Sequence, residues 1–552
     1  MMRNTHERFP QEKGHKIQTQ VNSLFHDTNR KGYLLRVKRF LSQGLVDVNS
    51  RSEKHGKTLL MVAAQEGHRK LFDFLVSKGA NASLVDENGD NVLHMACRGG
   101  RMAIVKYIVK NDSVDINSKG MHGSTSLLQT VYCGHMHVLR FLLTKEANVS
   151  HLDNEGENIL HVACRGGHLN MVKYVLSLPS VDINSRECYG ETPLMKAASE
   201  GHIDVFVFIV TSRADVHLLD DDGDNILHHA SIGGHANIVQ FIVSHKLVDI
   251  NSRGKDGMTP LMRVAYYGHK KVFYLFMREG GETKLVDDRG YNILHLAALS
   301  GQVEMVKIIL SLTTVDINSR THTGQTPLMT AAYEGHKDVF EFLLSKGANV
   351  SYVDDKGDNI LHHASYGGHT EMVQYILSQD LVNINIRGKY GATPLMKAVL
   401  RGHINVFKYL MRMKANVSLV DSDGDSILHY ASIGEHTKMV QHVLSLEQVD
   451  INSRGKHGRT ALMRAAFYGH RKVVDLLVSK GGLTNLVDAE GHSMLHLASL
   501  GGRLEMVKYI LSQNMADINA RDEEGDTAAM VAKRKGKLDV YNFLVSKGCA
   551  EI

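Results

Sequence analysis

Residues 220–235 read DDDGDNILHHASIGGH, with four aspartates in five positions followed by two adjacent histidines and a third. Imidazoles and carboxylates at close range are the donors of zinc sites and the acid–base pairs of hydrolases. Whether this stretch does either depends on how often the chain repeats it.

It repeats throughout. GETPLMKAASEGH (190–202), GQTPLMTAAYEGH (324–336) and GATPLMKAVLRGH (391–403) alternate with GDNILHHASIGGH (223–235), GDNILHHASYGGH (357–369) and GDSILHYASIGEH (424–436), two versions of one unit. The leading glycines fall at 56, 89, 123, 156, 190, 223, 257, 290, 324, 357, 391, 424, 458, 491 and 525, so the gaps alternate between 33 and 34 and the pair recurs every 67 residues without insertion. Each unit predicts a glycine turn, then Thr or Asn as helix N-cap, with Pro193, Pro260, Pro327 and Pro394 at a first helical position where a missing N–H costs nothing. A short apolar helix runs to a Gly break, and a second helix such as VFEFLLSKGANV (339–350) carries apolar residues at three and four spacing. A finger-like turn such as SLVDSDGD (418–425) leads on.

This pattern resembles the ankyrin repeat family, whose hallmark is a turn and two helices with Thr-Pro-Leu-His in about 33 residues. The resemblance covers residues 34–552 in fifteen in-register units. It departs in one respect. One class keeps Thr-Pro-Leu with Met195, Met262, Met329 or Met396 in place of His, and the other keeps Leu-His with Asn-Ile in place of Thr-Pro, which puts the family's Thr–His hydrogen bonding in question. The expected organisation is a polar tail over 1–20, a degenerate capping repeat over 21–55 whose first helix falls in 21–33, and fifteen repeats over 56–552, the last (525–552) a C-terminal cap. The fold class is all-α: helix-turn-helix pairs with hairpin fingers, stacked as an elongated superhelical solenoid with a right-angle profile.

Periodicity then bears on the chemistry. Layers about 10 Å apart separate like units, 67 residues apart, by roughly 20 Å, too far for one metal ion to bridge. His228 and His229 point to different sides of a helix. The Gly-His step recurs at His68, His135, His168, His202, His269, His336, His403 and His470, as a structural cap does. The turn DSDGDS (421–426) fails as an EF-hand, which needs glycine sixth and glutamate twelfth, because Gly424 is fourth and Ser432 twelfth. Its aspartates are expected to hydrogen-bond their own turn. GxxxxGK[ST], GxSxG, HExxH and CxxC are missing from the sequence. No catalytic residue, metal site or cofactor is expected.

Composition agrees with a binding protein. The 64 Lys and Arg against 59 Asp and Glu leave a net of +5, too mild to indicate nucleic acid or a membrane surface. No run of 18 apolar residues or signal-like N-terminus appears, and five cysteines without framework spacing read as reduced thiols. A cytoplasmic or nuclear, monomeric protein with no membrane insertion follows as the expectation.

In ankyrin repeats, as the resemblance implies, the concave face is built from finger tips and the exposed side of each first helix. Those positions hold Tyr266, Tyr267, Tyr291, Tyr333, Glu334, Tyr366, Tyr390, Arg401, Phe467 and Tyr468, whereas the early units offer Glu66, Arg98, Arg165 and Glu200. Tyrosine buries a large rigid ring while keeping a polar tip, so the aromatic half, from about 266 to 468, is the expected partner-binding surface for one or more proteins. Alternate fingers carry acid (Asp86, Asp153, Asp220, Asp287, Asp354, Asp421, Asp488) and base (Lys119, Arg186, Arg253, Arg320, Arg387, Arg454), which predicts attraction between neighbouring fingers. Finally, Asn184, Asn318 and Asn452 follow leucine by eight positions and aspartate by two, an arrangement that looks like the ankyrin targets of asparaginyl hydroxylases. The functional expectation is a non-catalytic scaffold or adaptor. The alternatives are the repeat arm of a larger channel or toxin, or a hydroxylase substrate.

Overall fold

The computed structural model describes residues 33–44 and 46–550. The tail (1–20) and the first helix expected over 21–33 lie outside the described residues apart from Tyr33, which begins the helix Tyr33–Ser42, the second helix of the opening repeat. Among the described residues there are 31 α-helices and no strand, only isolated bridges at Arg51–Thr58, Lys119–Thr125 and Arg521–Thr527. They fall into two compact halves, one holding the repeats up to Val264 with His269–Gly281, the other Ala265–Gly268 with the repeats from Glu282 onward. Within each half, first helices pack on the first helices of the next repeat, as Pro193–Glu200 does on Ile226–Gly233 and Pro327–Glu334 on Ile360–Gly367. This is the stacking of an ankyrin-type solenoid.

One repeat shows why the sequence folds this way. Thr192 stays extended and its Oγ1 accepts the Met195 N–H at 3.3 Å, Pro193 starts the helix, and Gly201 ends it in the left-handed region at φ 83°. The second helix, Ile203–Thr211, buries Val205, Phe206 and Ile209 on one stripe against Leu194, Met195, Ala197 and Ala198 of the first. Each such large side chain taken from water contributes about 2 kcal/mol.

The altered motif turns out to be two solutions to one cap. In the Met class the sulfur replaces the imidazole: Thr192 N–H points at Met195 Sδ (3.4 Å) and Met195 N–H at Thr192 Oγ1. In the other class Asn225 Oδ1 accepts from Leu227 and His228 N–H (3.0 and 3.2 Å), and His228 Nδ1 accepts from the Asn225 N–H (3.2 Å). Nε2 therefore carries the proton, and donates it to the Met258 carbonyl of the following repeat at 3.1 Å. His94, His161, His295, His362, His429 and His496 make the same bond to a carbonyl 24 or 30 residues on, at 3.0–3.2 Å. Asn91, Asn158, Asn225 and Asn292 complete the cap by donating from Nδ2 to a serine 27 residues on at 2.8 Å. Asn359 meets Ile386 at that place, and its buried Nδ2 has no partner.

Seven of the Gly-His histidines do cap helices, but not their own, while the buried Nε2 of His68 has no hydrogen-bond partner. Their side chains make no bond to the helix they precede. Instead Nε2 of His135, His202, His235, His269, His336, His403 and His470 donates at 2.8–3.0 Å to a carbonyl near the end of the preceding repeat's first helix. That end carries carbonyls without intrahelical partners, whereas the second-helix N-terminus offers only donors.

Two outcomes follow. Ile386→Ser gives Asn359 Nδ2 its missing acceptor, and raises stability by about 1 kcal/mol in urea unfolding. Burial pushes the cap histidines below the ordinary 6.5, to about 4 for His161, His295 and His362. A folded pKa below the unfolded one gives stability that is complete above pH 6.5 and lost as the pH falls towards 4, each of the three costing about 2 kcal/mol at pH 5. Melting temperature against pH is therefore flat above 7 and begins to fall near pH 6.5, before the carboxylates, with ordinary pKa values of about 4, begin to titrate.

Candidate partner-binding surface

The acidic fingers spend their carboxylates on their own backbone, as expected. Asp220 Oδ1 accepts from the N–H of Asp222 (3.0 Å) and Asp224 (2.8 Å), and Asp354 and Asp421 do the same at +2 and +4. The second oxygen of Asp220 meets His229 Nε2 at 3.0 Å, that of Asp354 meets His363 at 3.1 Å, and that of Asp421 accepts from the Tyr430 hydroxyl at 2.8 Å. Burial alone would raise the Asp354 carboxyl, but the His363 bond together with the backbone N–H groups of Asp358 and Lys356 outweighs it and holds the group below the usual range.

The basic fingers do attach to their neighbours, chiefly through backbone. Arg186 reaches the Leu219 carbonyl (2.6 Å) as well as Asp221 (2.9 Å), and Arg320, Arg387 and Arg454 reach the carbonyls of Val353, Val420 and Val487 at 2.6–3.0 Å. The expected acid–base attraction is thus mostly a guanidinium-to-carbonyl bond, because the aspartates in question are already turned inward.

A second set of ion pairs escaped the sequence reading. Asp224 pairs with Arg263 (3.0 Å), Asp358 with Lys397 (2.6 Å), Asp425 with Arg464 (2.5 Å) and Glu157 with Lys196 (3.3 Å), always 39 residues apart, and Gln129 donates to Asp90 at 2.9 Å. The signal was present as internal covariation: where the acid is replaced, by Tyr291 and by His492, the residue 39 on is the uncharged Thr330 or Val531.

That exchange lies within the predicted aromatic run. Tyr291 is half-buried, donates from its hydroxyl to Gln325 Oε1 (3.2 Å), and has its pKa pushed up by burial and then by Asp287. Tyr333 stacks on Tyr366 with centroids 6.0 Å apart, and the Arg401 guanidinium stands 4.9 Å from the Tyr366 centroid. Glu334 is half-buried beside them, and the four side chains Tyr291, Tyr333, Tyr366 and Arg401 belong to four consecutive repeats. The structure keeps the other predicted residues apart from this run. Tyr266 packs edge-to-face on the more exposed Tyr267 (5.1 Å), Phe467 on Tyr468 (5.1 Å) with Arg459 above it, and Tyr390 projects alone from its finger, 60 % exposed.

The early half is less bare of aromatics than its sequence implied. Tyr132 occupies the register of Tyr333, is 49 % exposed and lies 5.3 Å from the Arg165 guanidinium. With Met121, Gln129, Cys133 and Arg98 it lines a cavity of about 300 Å³. Among the described residues two side-chain groups have metal-ligand spacing, Glu191–Asp220–His229 and Asp488–Glu490–His492. In the first, Lys196 Nζ already sits 2.6 Å from Glu191.

Asn184, Asn318 and Asn452 share one place: each Oδ1 accepts, at 2.8–2.9 Å, the backbone N–H of the residue 31 on, Asp215, Asn349 and Leu483. The finger fold itself accounts for these asparagines, and Asn117, Asn385 and Asn519 do likewise.

Comparison with known proteins places these features. The family profile described as "Ankyrin repeats (3 copies)" matches residues 25–120, 127–220, 194–281, 261–354, 347–421, 413–485 and 480–552. Similar curated proteins include the human transient receptor potential cation channel subfamily A member 1, 25 % identical over 514 residues, 91 % of this chain and 43 % of that protein. The putative ankyrin repeat protein L371 of Acanthamoeba polyphaga mimivirus is 23 % identical over 383 residues, 68 % of this chain and 49 % of its own length. Mouse Rabankyrin-5 is 31 % identical over 165 residues, 29 % of this chain and 14 % of its own. The chain spans less than half the length of each.

Asn318→Ala removes the acceptor for the Asn349 N–H, and costs about 1 kcal/mol. Hydrogen exchange reads it as faster exchange at Asn349 with the helices of both repeats intact.

Proposed function

Because the chain belongs to the ankyrin repeat family, in which such repeats bind proteins, we propose that it is a non-catalytic scaffold, monomeric and cytoplasmic or nuclear, that docks a partner protein on its fingers and first helices. The observation that supports this most is the run Tyr291, Tyr333, Tyr366 and Arg401 on consecutive repeats. Repetition distributes side chains along a face instead of converging them on one pocket, which favours binding over catalysis. Half-exposed aromatic rings beside arginine are the residues that dominate protein interfaces.

A second reading, the repeat arm of a larger channel or toxin, draws on the 91 % coverage by a channel subunit and on alpha-latrocrustotoxin-Lt1a of Latrodectus tredecimguttatus, 25 % identical over 318 residues. Sequencing the native transcript beyond the codon for Ile552 decides between them: a following hydrophobic segment favours the arm.

For the scaffold, affinity purification with mass spectrometry identifies the partner, and the double substitution Tyr333→Ala, Tyr366→Ala then weakens its capture by about tenfold or more while the helical circular dichroism is unchanged. Equal capture by that variant removes this surface from the proposal.

A further inference from the structure

One finger departs from all the others of its class. Where six fingers carry Asp90, Glu157, Asp224, Tyr291, Asp358 and Asp425, the seventh carries His492, a buried ring with carboxylates at both nitrogens. Its Nδ1 lies 3.4 Å from Asp488 Oδ2 and 3.2 Å from Glu490 Oε2 of its own finger, while Nε2 lies 3.4 Å from Asp522 Oδ2 of the next. A neutral imidazole offers one N–H and one lone pair. The cap histidines use both, as His228 does with the Asn225 N–H at Nδ1 and the Met258 carbonyl at Nε2. At His492 a lone pair on either nitrogen would face a carboxylate, whereas the imidazolium has an N–H for each side.

We propose that His492 is a pH-sensitive latch: as an imidazolium it fastens its own finger to the finger that opens the repeat at Gly525, and it lets go when it loses its proton. Asp522 is set up for this. Its Oδ1 gathers the N–H groups of Glu524 and Asp526 at 3.0 and 2.8 Å, and its buried Oδ2, which makes no hydrogen bond of its own, is left facing the ring. The latch adds to a backbone tie between the same two fingers, the Glu523 N–H to the Glu490 carbonyl at 3.1 Å. A solenoid is held by contacts between neighbouring repeats, so a change at this junction reaches residues 522–550 and leaves distant repeats alone.

The charges around the ring lead the same way. Asp488, Glu490 and Asp522 bring three negative charges, and from the finger before, Arg459 brings one positive, 2.9 Å from Asp488 and 3.6 Å from Glu490. A charged His492 offsets the second, and His457, 3.2 Å from Glu490 at the exposed rim, offsets the third when it too is protonated. Arg459 sits on Asp488 Oδ2, the oxygen a metal ion would need, so the cluster is an ion-pair network and not a metal site. On the helix Met494–Leu500, His496 stands 5.9 Å away between centroids, gives its Nε2 proton to the Asp526 carbonyl, and is kept below the ordinary pKa by burial. On the helix Ala528–Arg534, Arg534 is committed to Glu524 and Asp526. For His492 itself the Asp488 bond raises the pKa above the ordinary 6.5 against the opposing effect of burial, and the charges of Asp488, Asp522 and Glu490 add to it. A folded pKa above the unfolded one gives stability that is complete below pH 6.5 and lost as the pH rises through the folded pKa, the opposite sign to the cap histidines.

Hydrogen exchange of the full chain, read by mass spectrometry at about pH 6 and about pH 8.5 and corrected for the intrinsic rate, tests the latch. Residues 522–550 are expected to be about tenfold better protected at the lower pH, the worth of one hydrogen bond to a charged group. His492→Gln, which keeps a donor and an acceptor but cannot take up a proton, removes that difference, and Asp522→Asn lowers the pH at which protection is lost. In the nuclear magnetic resonance spectrum of the wild type, the imidazole signal that Asp522→Asn shifts most has its titration midpoint above 6.5. Equal protection of 522–550 at both pH values, a difference that survives in His492→Gln, or a midpoint below 6.5 each overturns the latch.

Discussion

Alternate repeats depend on keeping one imidazole neutral in a dry place. A ring such as His295, fully buried, accepts from the cap of its own helix and donates to a carbonyl of the following repeat. It can do both only in one tautomer, and burial enforces that by making the charged form costly. The same ring thus closes a local turn and ties neighbouring repeats. Where methionine replaces it, the sulfur closes the turn but has no hydrogen to pass on, so the tie runs through the Gly-His rings and the arginines instead.

The fingers obey a related rule. Their first residue is Asp, Glu or Thr, whose oxygen gathers the turn's own N–H groups, except at Gly120, Gly254, Gly388 and Gly455, where the finger before carries Asp90, Asp224, Asp358 or Asp425. Asp90, Asp224 and Asp425 reach across and take the N–H of Met121, Lys255 and Lys456 themselves, whereas the Lys389 N–H goes to the Lys356 carbonyl. Glycine stands at the vacated place because a Cβ on Gly120, Gly254 or Gly455 would lie 1.8–2.1 Å from the intruding carboxylate. Donor satisfaction and steric room are settled together, so residues 30 apart change as a pair.

The stack of helix pairs was legible because its signals are local and repeated: the N-cap, the proline at the first position, the apolar stripe and the glycine stop. The direction of the Gly-His rings was not, since a histidine before a helix looks the same whether it serves that helix or the one behind it. The ion pairs 39 residues apart were written in the sequence, but only as a correlation among repeats, which comparing single motifs does not reveal. Of the candidate surface, composition located the aromatic half, while the stacking of Tyr333 on Tyr366 and the partial burial of Tyr291 depend on neighbouring side chains that spacing alone cannot place. Tyr132 shows the cost of reading a trend across the array in place of each register.

Alternation of the two cap types has an evolutionary consequence. The donors of one class are matched to acceptors of the other, as His228 is to Met258 and Asn225 to Ser252. A recombination event that gains or loses a single repeat sets like against like and leaves the junction mismatched. Exchange in steps of 67 residues restores every junction to its former kind. The heritable unit by which an array like this grows or shrinks is therefore the doublet, and lengths that differ by an odd number of repeats should be rare among its descendants.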